Sequence, residues 1–328
     1  MNAAPADELV VADIGGTHVR FAVARMDMDV PCLDRALVLR VDEHPDLHDA
    51  WRRYRDWVGG SLPRDAAIAV AAPVNAEPLV LANNPWVIRS SRLAVELGLD
   101  RLAIVNDFGA VGHLVPALGI DAFAPVAGPR HDARSDGVTT IIGLGTGLGV
   151  ALVHRAGDRI TVVETEAGHA GFAPVDDLDD RIYRLARHAH GRASAERVLS
   201  GPGLGCVHQA VCEAAGVAPA SFTVSELWTA AIDGTDANAS AALDKLIGCL
   251  GVFAGDMALA HGASRVVLSG TLVGRIADRL ATPLFATPFT AKGRFAAHMG
   301  TVAVQRLSVS EPGLVGAALA FRKVMSRR

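Results

Sequence analysis

The chain is poor in cysteine and has no strong excess of charge of either sign. Its 328 residues include four cysteines, none of them paired in a Cys-x-x-Cys spacing. The sequence therefore predicts neither a zinc site nor a dithiol redox motif. Four thiols without a pattern are typical of a reducing compartment. The formal net charge is -4, which gives no electrostatic support to nucleic-acid binding. We therefore expect no nucleic-acid partner.

Long hydrophobic runs are also missing. The longest apolar stretches are interrupted by Asp, Gly or Thr before they reach membrane-spanning length. Residues 1–8 lack the basic and apolar segments of a signal sequence, so we expect a cytoplasmic protein without a membrane partner. The composition, with 50% hydrophobic and 20% charged residues, is that of a globular chain. The length suits two lobes that each bury a core.

Two glycine-rich turns each join a pair of predicted strands. The apolar run at 9–13 leads into the turn at 13–17, Asp-Ile-Gly-Gly-Thr, and an alternating run at 19–24 follows at once. Strands predicted at 138–144 and 149–154 flank a second turn, Gly-Thr-Gly, in the same way. Predicted helices and strands alternate along the rest of the chain, which indicates an α/β fold. The repeated hairpin also predicts two related lobes.

Both turns have the composition of phosphate-binding loops. Paired glycines let the backbone approach a ligand closely, and successive N–H groups in such a turn form an anion site. Asp13, at the end of the first strand, could hold Mg²⁺ or its water shell. An ordinary hairpin turn remains an equal alternative for the first turn. The glycine density at 143–149 exceeds what a turn requires, which favours a phosphate loop there.

The sequence argues against the two commonest nucleotide-binding loops. A dinucleotide-binding fold requires a long helix after its glycines, yet a strand is predicted after residue 149. No G-x-x-x-x-G-K-[ST] motif occurs, so a P-loop is not predicted. Two phosphate-binding hairpins on two lobes instead favour the actin/hexokinase architecture, with a nucleotide in the cleft between the lobes.

A polar pair follows a predicted buried strand at 101–105. Asn106 and Asp107 stand at the carboxyl end of that strand, where ligand sites of α/β sheets are found. Phosphoryl transfer needs positioning, neutralisation by a metal ion and an acceptor for the hydroxyl proton. Asp107 could be that general base. An Asx turn that merely ends the strand is the alternative interpretation.

An acidic group and an imidazole stand three residues apart at Glu166 and His169. The two could accept hydrogen bonds from vicinal sugar hydroxyls and donate hydrogen bonds to them. A metal site would need a third ligand, and none stands out nearby in the sequence. A polar surface loop is the alternative interpretation.

Two helix starts are indicated by their capping residues. Ser194 is predicted to cap a helix at 195–199. Glu196 in the first turn of that helix suits the helix dipole, which is a sufficient reason for its presence without any function. Thr223 and Glu226 have the spacing of a capping box at the start of another helix.

Taken together, these segments resemble the bacterial glucokinase family of the hexokinase–actin superfamily, in the same order along almost the whole chain. The most specific stretch is 194–204, Ser-Ala-Glu-Arg-Val-Leu-Ser-Gly-Pro-Gly-Leu. One such motif would be weak evidence, whereas this many in order is specific. The other matching segments are 12–17 with Arg20, 83–86, 105–108, 145–150, 166–169, 172–174, 292–295 and 312–314.

The resemblance implies a fold, a reaction and an assembly. The fold is α/β, a two-lobed actin-like ATPase (ribonuclease H-like) fold with nucleotide and sugar in the interlobe cleft. Residues 1–115 and 304–328 would form a small lobe, and residues 116–303 a large lobe. The reaction is ATP- and Mg²⁺-dependent phosphorylation of glucose at its 6-hydroxyl to glucose 6-phosphate, the first step of glycolysis. The family is typically homodimeric.

The resemblance also implies roles for individual residues. Asn106 and Asp107 would bind the sugar, with Asp107 as the base for its 6-hydroxyl. The remaining hydroxyls would be bound by Glu166, His169 and Glu196. The groups that handle Mg²⁺ and phosphate would be Asp13, Gly15, Gly16 and Thr17 from one lobe and Gly145, Thr146 and Gly147 from the other, with Gly270 and Thr271 near the adenosine.

Several positions depart from the family pattern. Asn84 replaces a common His, Gly109 replaces an acidic or polar residue, and Ala167 replaces a Gly. His18 stands where an Asn is common, and Thr271 where a Gly is common. The acidic and imidazole groups named above are all retained. Three alternatives stay open: a kinase of another hexose, a non-catalytic sugar-binding regulator on the same fold, and an actin-like structural ATPase.

Overall fold

The computed structural model of the protein describes residues 8–81 and 84–326. Asn83, the first residue of one matching segment, therefore lies outside the described residues. The described chain forms two compact units. Unit 1 comprises the described residues up to Leu118, the short segment Val162–Glu164, and the described residues from Val309 onwards. Unit 2 comprises Gly119–Thr161 and Thr165–Ser308.

The lobe boundaries expected from the sequence stay a prediction, and the two units differ from them near the end of the chain. The sequence placed 304–328 in the small lobe, whereas residues up to Ser308 belong to unit 2. A strand at Ala303–Leu307 pairs with Arg265–Ser269 inside the unit 2 sheet. This pairing keeps the strand with unit 2, and the chain returns to unit 1 only after it.

The described residues contain thirteen strands, which alternate with helices along the chain. They are β1 (Glu8–Ile14), β2 (His18–Arg25), β3 (Cys32–Arg40), β4 (Asp65–Val70), β5 (Leu79–Val80), β6 (Val87–Ile88), β7 (Arg101–Asn106), β8 (Phe123–Ala127), β9 (Gly137–Leu144), β10 (Leu148–Ala156), β11 (Arg159–Thr165), β12 (Arg265–Ser269) and β13 (Ala303–Leu307).

The same residues contain thirteen α-helices, several of them a single turn long. They are α1 (Leu47–Val58), α2 (Ser90–Leu97), α3 (Asp107–Leu114), α4 (Asp177–His190), α5 (Ala195–Val198), α6 (Gly203–Ala214), α7 (Val224–Asp233), α8 (Ala237–His261), α9 (Thr271–Arg275), α10 (Ala277–Leu280), α11 (Pro283–Thr290), α12 (Ala296–Met299) and α13 (Pro312–Met325). None of these helices is both long and apolar enough to span a bilayer.

The two units repeat one sheet topology. In unit 1 the strand order is β3-β2-β1-β4-β7, with an antiparallel β1–β2–β3 meander followed by two parallel strands. The second sheet repeats this pattern in the order β11-β10-β9-β12-β13, and β8 adds an antiparallel edge strand beside β13. Its strands belong to unit 2 except for Val162–Glu164 of β11, which belong to unit 1. Each sheet therefore contains a glycine-turn hairpin, as the repeat predicted. The prediction that both lobes open with the hairpin was wrong for unit 2, where β8 precedes β9 and pairs at the far edge of the sheet.

Local sequence determines where several helices begin and end. Asp46 caps α1, because its side chain accepts a hydrogen bond of 2.8 Å from the Asp49 N–H. The predicted capping box of Thr223 and Glu226 is present at the start of α7. The prediction for Ser194 was wrong in one respect, since its side chain makes no capping hydrogen bond to α5. Its backbone instead forms a β-bridge with Gly171.

Helix α13 packs on the unit 1 sheet and against α3, which starts at Asp107. Its buried Leu314, Ala317 and Phe321 belong to the same apolar cluster as Leu9 on β1. A Cβ added at Gly316 would overlap the carbonyl of Ala110 on α3, so the two helices touch backbone to backbone. In unit 2 the corresponding core is formed by α8 against β9 and β12.

Candidate active site

The β1–β2 hairpin forms the first of the two predicted phosphate turns. Asp13 lies on β1, and Gly15, Gly16 and Thr17 form the turn between β1 and β2. The turn is closed by the Gly15 N–H, which donates to the carbonyl of His18 at 3.0 Å. The Asn84 amide donates to the carbonyl of Gly15 at 2.8 Å and is itself buried. Sequence reasoning identified Asn84 only as a departure from the family pattern and missed this contact.

Asp13 lies in surroundings that disfavour its charge. Burial raises the pKa of its carboxyl group to about 6, because desolvation outweighs the opposing effect of the Arg20 guanidinium, and Glu311 raises it further. The Arg20 guanidinium is 3.9 Å from Asp13 but 3.3 Å from Glu311. Arg20 is therefore shared between two carboxylates, and Asp13 lacks a close counter-ion of its own.

These surroundings fit a magnesium ion. Mg²⁺ prefers hard oxygen ligands and is usually held by one or two carboxylates together with phosphates and water. The Asp13 side chain is 22% exposed, so one such ligand is reachable. Within residues 8–81 and 84–326 no group of three or more His, Cys, Asp or Glu side chains could form a complete metal cage.

The junction between β7 and α3 holds the predicted polar pair. Asn106 ends β7 and caps α3, since its side-chain oxygen accepts from the N–H groups of Phe108 and Gly109, both at 3.0 Å. Its amide also donates to the carbonyl of Ala72 at 3.4 Å. The Asx-turn alternative thus applies to Asn106. Asp107, the first residue of α3, is half-buried, and one of its oxygens accepts from the Phe108 N–H at 2.9 Å.

The β9–β10 hairpin forms the second predicted phosphate turn. The Gly145 N–H donates to the carbonyl of Gly147 at 3.0 Å. Glu196, on α5, accepts from the Leu148 N–H at 3.1 Å, and a Cβ added at Gly147 would lie 2.6 Å from the same carboxylate. Thr146 stands between the two glycines. The turn is therefore held by a side chain from more than forty residues further along the chain.

Gly270 and Thr271 lie beside the start of this second turn. Gly270 has φ +105° and approaches the backbone of Leu144 so closely that a Cβ would overlap the Leu144 carbonyl. Only glycine combines this backbone conformation with this approach. Thr271 begins α9 directly after it. The structure thus brings the predicted adenosine-side residues next to the predicted phosphate turn of unit 2.

Glu166, His169 and Glu196 also come together in unit 2. The His169 ring lies 3.8 Å from a Glu166 oxygen and 3.9 Å from a Glu196 oxygen. The side chains of Glu166 and His169 are more than half exposed, and that of Glu196 is 27% exposed. Two acceptors and an imidazole that face solvent without direct hydrogen bonds to each other can bind a polyhydroxylated ligand.

Two further acidic residues contact the site, and sequence reasoning assigned neither of them a role. Glu164 accepts a hydrogen bond from the Asn106 N–H at 3.3 Å. Glu311 precedes α13 with a left-handed φ of +48° and forms the ion pair with Arg20. The only signal in the sequence for Glu164 was Gly109, a small residue at a position where the family has a larger one.

Comparison with known proteins gives a consistent result. A family model described as Glucokinase matches residues 10–324. The glucokinase of Zymomonas mobilis subsp. mobilis is 44% identical over 315 residues, which is 96% of this chain and 97% of that relative. A glucokinase of Stenotrophomonas maltophilia is 37% identical over 316 residues, 94% of this chain and 93% of the relative.

Solved structures agree with this result. A glucokinase from an Antarctic psychrotroph, 28% identical, superposes with a TM-score of 0.81 over 97% of this chain and 100% of that chain. A ROK family glucokinase from Streptomyces griseus, solved with glucose and AMPPNP, is 18% identical, with a TM-score of 0.62 over 96% and 99% of the two chains. The latter shows the fold alone. The predicted α/β, actin-like ATPase fold is thereby confirmed, and the chain belongs to the glucokinase family.

Proposed function

We propose that this protein phosphorylates glucose at the 6-hydroxyl with ATP, giving glucose 6-phosphate and ADP. The observation that carries the proposal is membership of the glucokinase family over residues 10–324. The glucose and AMPPNP bound by the Streptomyces griseus neighbour support a sugar and an ATP-like donor as the two substrates. The polar groups described above supply the chemistry that such a transfer requires.

Asp107 is the proposed general base. It begins α3 at the carboxyl end of a parallel strand, and its hydrogen bond from the Phe108 N–H orients the carboxylate. In the proposed reaction Asp107 accepts the proton of the sugar 6-hydroxyl while that oxygen bonds to the γ-phosphorus and ADP leaves. Asn106 supports the sugar beside it. Positioning and charge stabilisation, and not covalent chemistry, account for most of such catalysis.

Glu166, His169 and Glu196 are the proposed partners of the other sugar hydroxyls. Carboxylates accept hydrogen bonds from hydroxyl groups, and the imidazole can donate or accept. All three side chains are at least partly exposed and lie within 4 Å of their nearest neighbour in the set. Asn106 and Asp107 are the other two proposed sugar ligands.

The two glycine turns are the proposed phosphate-binding elements. In the first turn Gly15 would shape the loop through its hydrogen bond to His18, and Gly16 and Thr17 would contact phosphate oxygens through backbone N–H groups and a hydroxyl. Asp13 would hold Mg²⁺ directly or through water. A magnesium ion at Asp13 would neutralise charge on the phosphates during transfer. The corresponding groups of unit 2 are Gly145, Thr146 and Gly147, with Gly270 and Thr271 next to the adenosine.

The proposal extends to the setting of the enzyme. We infer a cytoplasmic protein, which the four free cysteines support, since thiols persist in reducing compartments. We also infer a homodimer, for which the resemblance to bacterial glucokinases is the support. Sedimentation of the purified protein would give a mass near one chain or near two, and so decide the oligomeric state.

Release of ADP with glucose and Mg-ATP, followed in a coupled assay, tests the reaction. Asp107→Asn should retain the fold and lose nearly all turnover, because an amide cannot accept the proton. Asp158→Asn, at an exposed turn position, is the matched control and should keep the parental rate. Turnover retained by Asp107→Asn would refute the assignment of the base. A panel of mannose, fructose and glucosamine in the same assay separates glucose from other hexoses.

A further inference from the structure

The Glu164 side chain in unit 1 fills the space next to Gly109, where a larger residue at 109 would place its side chain. Gly109 is buried in the first turn of α3, two residues after Asp107. A Cβ added at Gly109 would overlap a carboxylate oxygen of Glu164 and would lie 2.7 Å from both Cγ and Cδ of that side chain. Contacts under 3.0 Å are essentially never made by real Cβ atoms. The volume that a larger residue at 109 would fill is therefore filled by Glu164.

The Glu164 carboxylate satisfies a donor that the sheet leaves unpaired. Among the described residues, β7 is the edge strand of the unit 1 sheet and has β4 as its one partner strand. Alternate N–H groups on the open side of an edge strand have no strand partner, and a buried N–H without a partner is costly. Glu164 accepts from the last of these groups, the Asn106 N–H, at 3.3 Å. It does so at the residue immediately before the proposed base.

The other hydrogen-bonding groups of this junction are also engaged. The Asn106 side chain accepts from Phe108 and Gly109 and donates to Ala72. These contacts fix the first turn of α3 relative to the end of β7, and the Glu164 contact holds the Val105–Asn106 peptide, the last one within β7. Burial raises the pKa of the Glu164 carboxyl, with the Asn106 N–H acting in the opposite direction. Glu164 as a whole is nevertheless an exposed residue of β11.

We infer that Glu164 is a positioning residue, which sets the direction of the Asp107 carboxylate through the Asn106 peptide, and that glycine at 109 is its required complement. The inference rests on the proposed function, because it assumes that Asp107 acts on the sugar hydroxyl. Glu164 itself touches neither the reacting oxygen nor the phosphate in this scheme.

A double-mutant cycle tests the pair. Glu164→Ala removes the acceptor, and we expect kcat with glucose to fall about tenfold, as for the loss of one charge-assisted hydrogen bond, with the KM for ATP unchanged. Gly109→Ala should have a similar effect, because its Cβ displaces the Glu164 side chain. The double variant Gly109→Ala/Glu164→Ala should be no slower than either single variant, since the methyl group then has space. Glu164→Gln retains an acceptor oxygen and should stay within about threefold of the parent.

Controls and contrary outcomes are separable. Gly205→Ala, where nothing lies within 4 Å of the added Cβ, should leave kcat at the parental value. Parental kcat in Glu164→Ala and Gly109→Ala, with lower unfolding temperatures, would reduce Glu164 to a structural role and overturn the inference. The inference would also be overturned if kcat of the double variant fell by the product of the two single-variant losses. A parent enzyme that turns over no hexose would instead refute the proposed function, which the parental assay shows before any variant is made.

Discussion

Gly313 offers a direct test of how closely Asp13 must be placed. Gly313 lies in the first turn of α13, and a Cβ added there would be 2.7 Å from an Asp13 carboxylate oxygen and 3.0 Å from its Cγ. Gly313→Ala therefore forces the carboxylate to move by several tenths of an ångström to reach ordinary van der Waals distance. A misplacement of about 1 Å in a catalytic site can cost on the order of a hundredfold. For this smaller shift we expect kcat/KM for Mg-ATP to fall about tenfold.

The assay separates this effect from a loss of stability. Replacement of glycine by alanine in a helix usually adds roughly 0.5–1 kcal/mol of stability, which offsets part of the strain, so the unfolding temperature should change little. The KM for glucose should also stay near the parental value, because the proposed sugar groups are elsewhere. Gly205→Ala, on an exposed helical position with open space, should gain stability and keep both rates. Inactive Asp13→Asn together with fully active Gly313→Ala would show that the geometric reasoning is wrong.

Two further predictions concern stability. Lys245 lies 2.6 Å from Asp176 and 2.9 Å from Asp179, whose side chain is 2% exposed. Lys245→Met leaves the buried Asp179 carboxylate without its lysine partner. It should lower the free energy of unfolding, measured in urea, by roughly 3–5 kcal/mol, and a loss below about 1 kcal/mol would contradict this account. The Thr223 backbone and hydroxyl hydrogen bonds hold the pKa of Glu226 below its ordinary value. The stability they add is present above the ordinary carboxyl pKa and is lost as pH falls through the lowered value. Glu226→Gln should therefore have a lower unfolding temperature than the parent at about pH 7. When the pH is lowered to about 3, the unfolding temperature of the variant should fall less than that of the parent.

The two hairpins were predictable because their signals are local. Glycine clusters between apolar runs predicted strands at 138–144 and 149–154, and the structure has Gly137–Leu144 and Leu148–Ala156. The ends differ by one or two residues because backbone pairing continues past the last apolar side chain. At the capping box of α7 the two residues that make the contact are also close in sequence, so the prediction was equally direct.

Edge strands lack such a signal. β3 was not predicted, and along it exposed residues alternate with half-buried ones. Asp34 and Arg35 stand next to each other in its sequence and interrupt the apolar residues from which a strand is usually predicted. Main-chain pairing with β2 holds this strand in place. Pairing of that kind depends on the register of a neighbouring strand, which composition does not reveal.

At the candidate site, sequence reasoning named candidate groups, whose roles stay predictions, but it could not describe the contacts that support them. Asn106 and Asp107 were correctly placed at the end of a buried strand. The Asx turn and the candidate pair do not exclude each other, because Asn106 caps α3 while Asp107 stays half-exposed. Glu164 is 58 positions from Asn106, and although it stands two residues before Glu166 in a candidate stretch, sequence reasoning gave it no role. Its contact depends on folded geometry, which only the small residue at 109 anticipated.

The supports of the two glycine turns show what each turn is built to do. In unit 1 the Asn84 side chain binds the turn through a carbonyl oxygen, that of Gly15, so it does not compete with a phosphate for backbone N–H groups. In unit 2 the Glu196 carboxylate binds an N–H group, that of Leu148, at the exit of the turn. An acidic side chain there would repel a phosphate that came too close, and the same residue is a proposed sugar ligand. The unit 1 turn is therefore suited to direct anion contact, whereas the position of the unit 2 turn depends on a residue that is also a proposed sugar ligand. If Glu196 binds the sugar as proposed, sugar binding should also affect the proposed phosphate turn of unit 2.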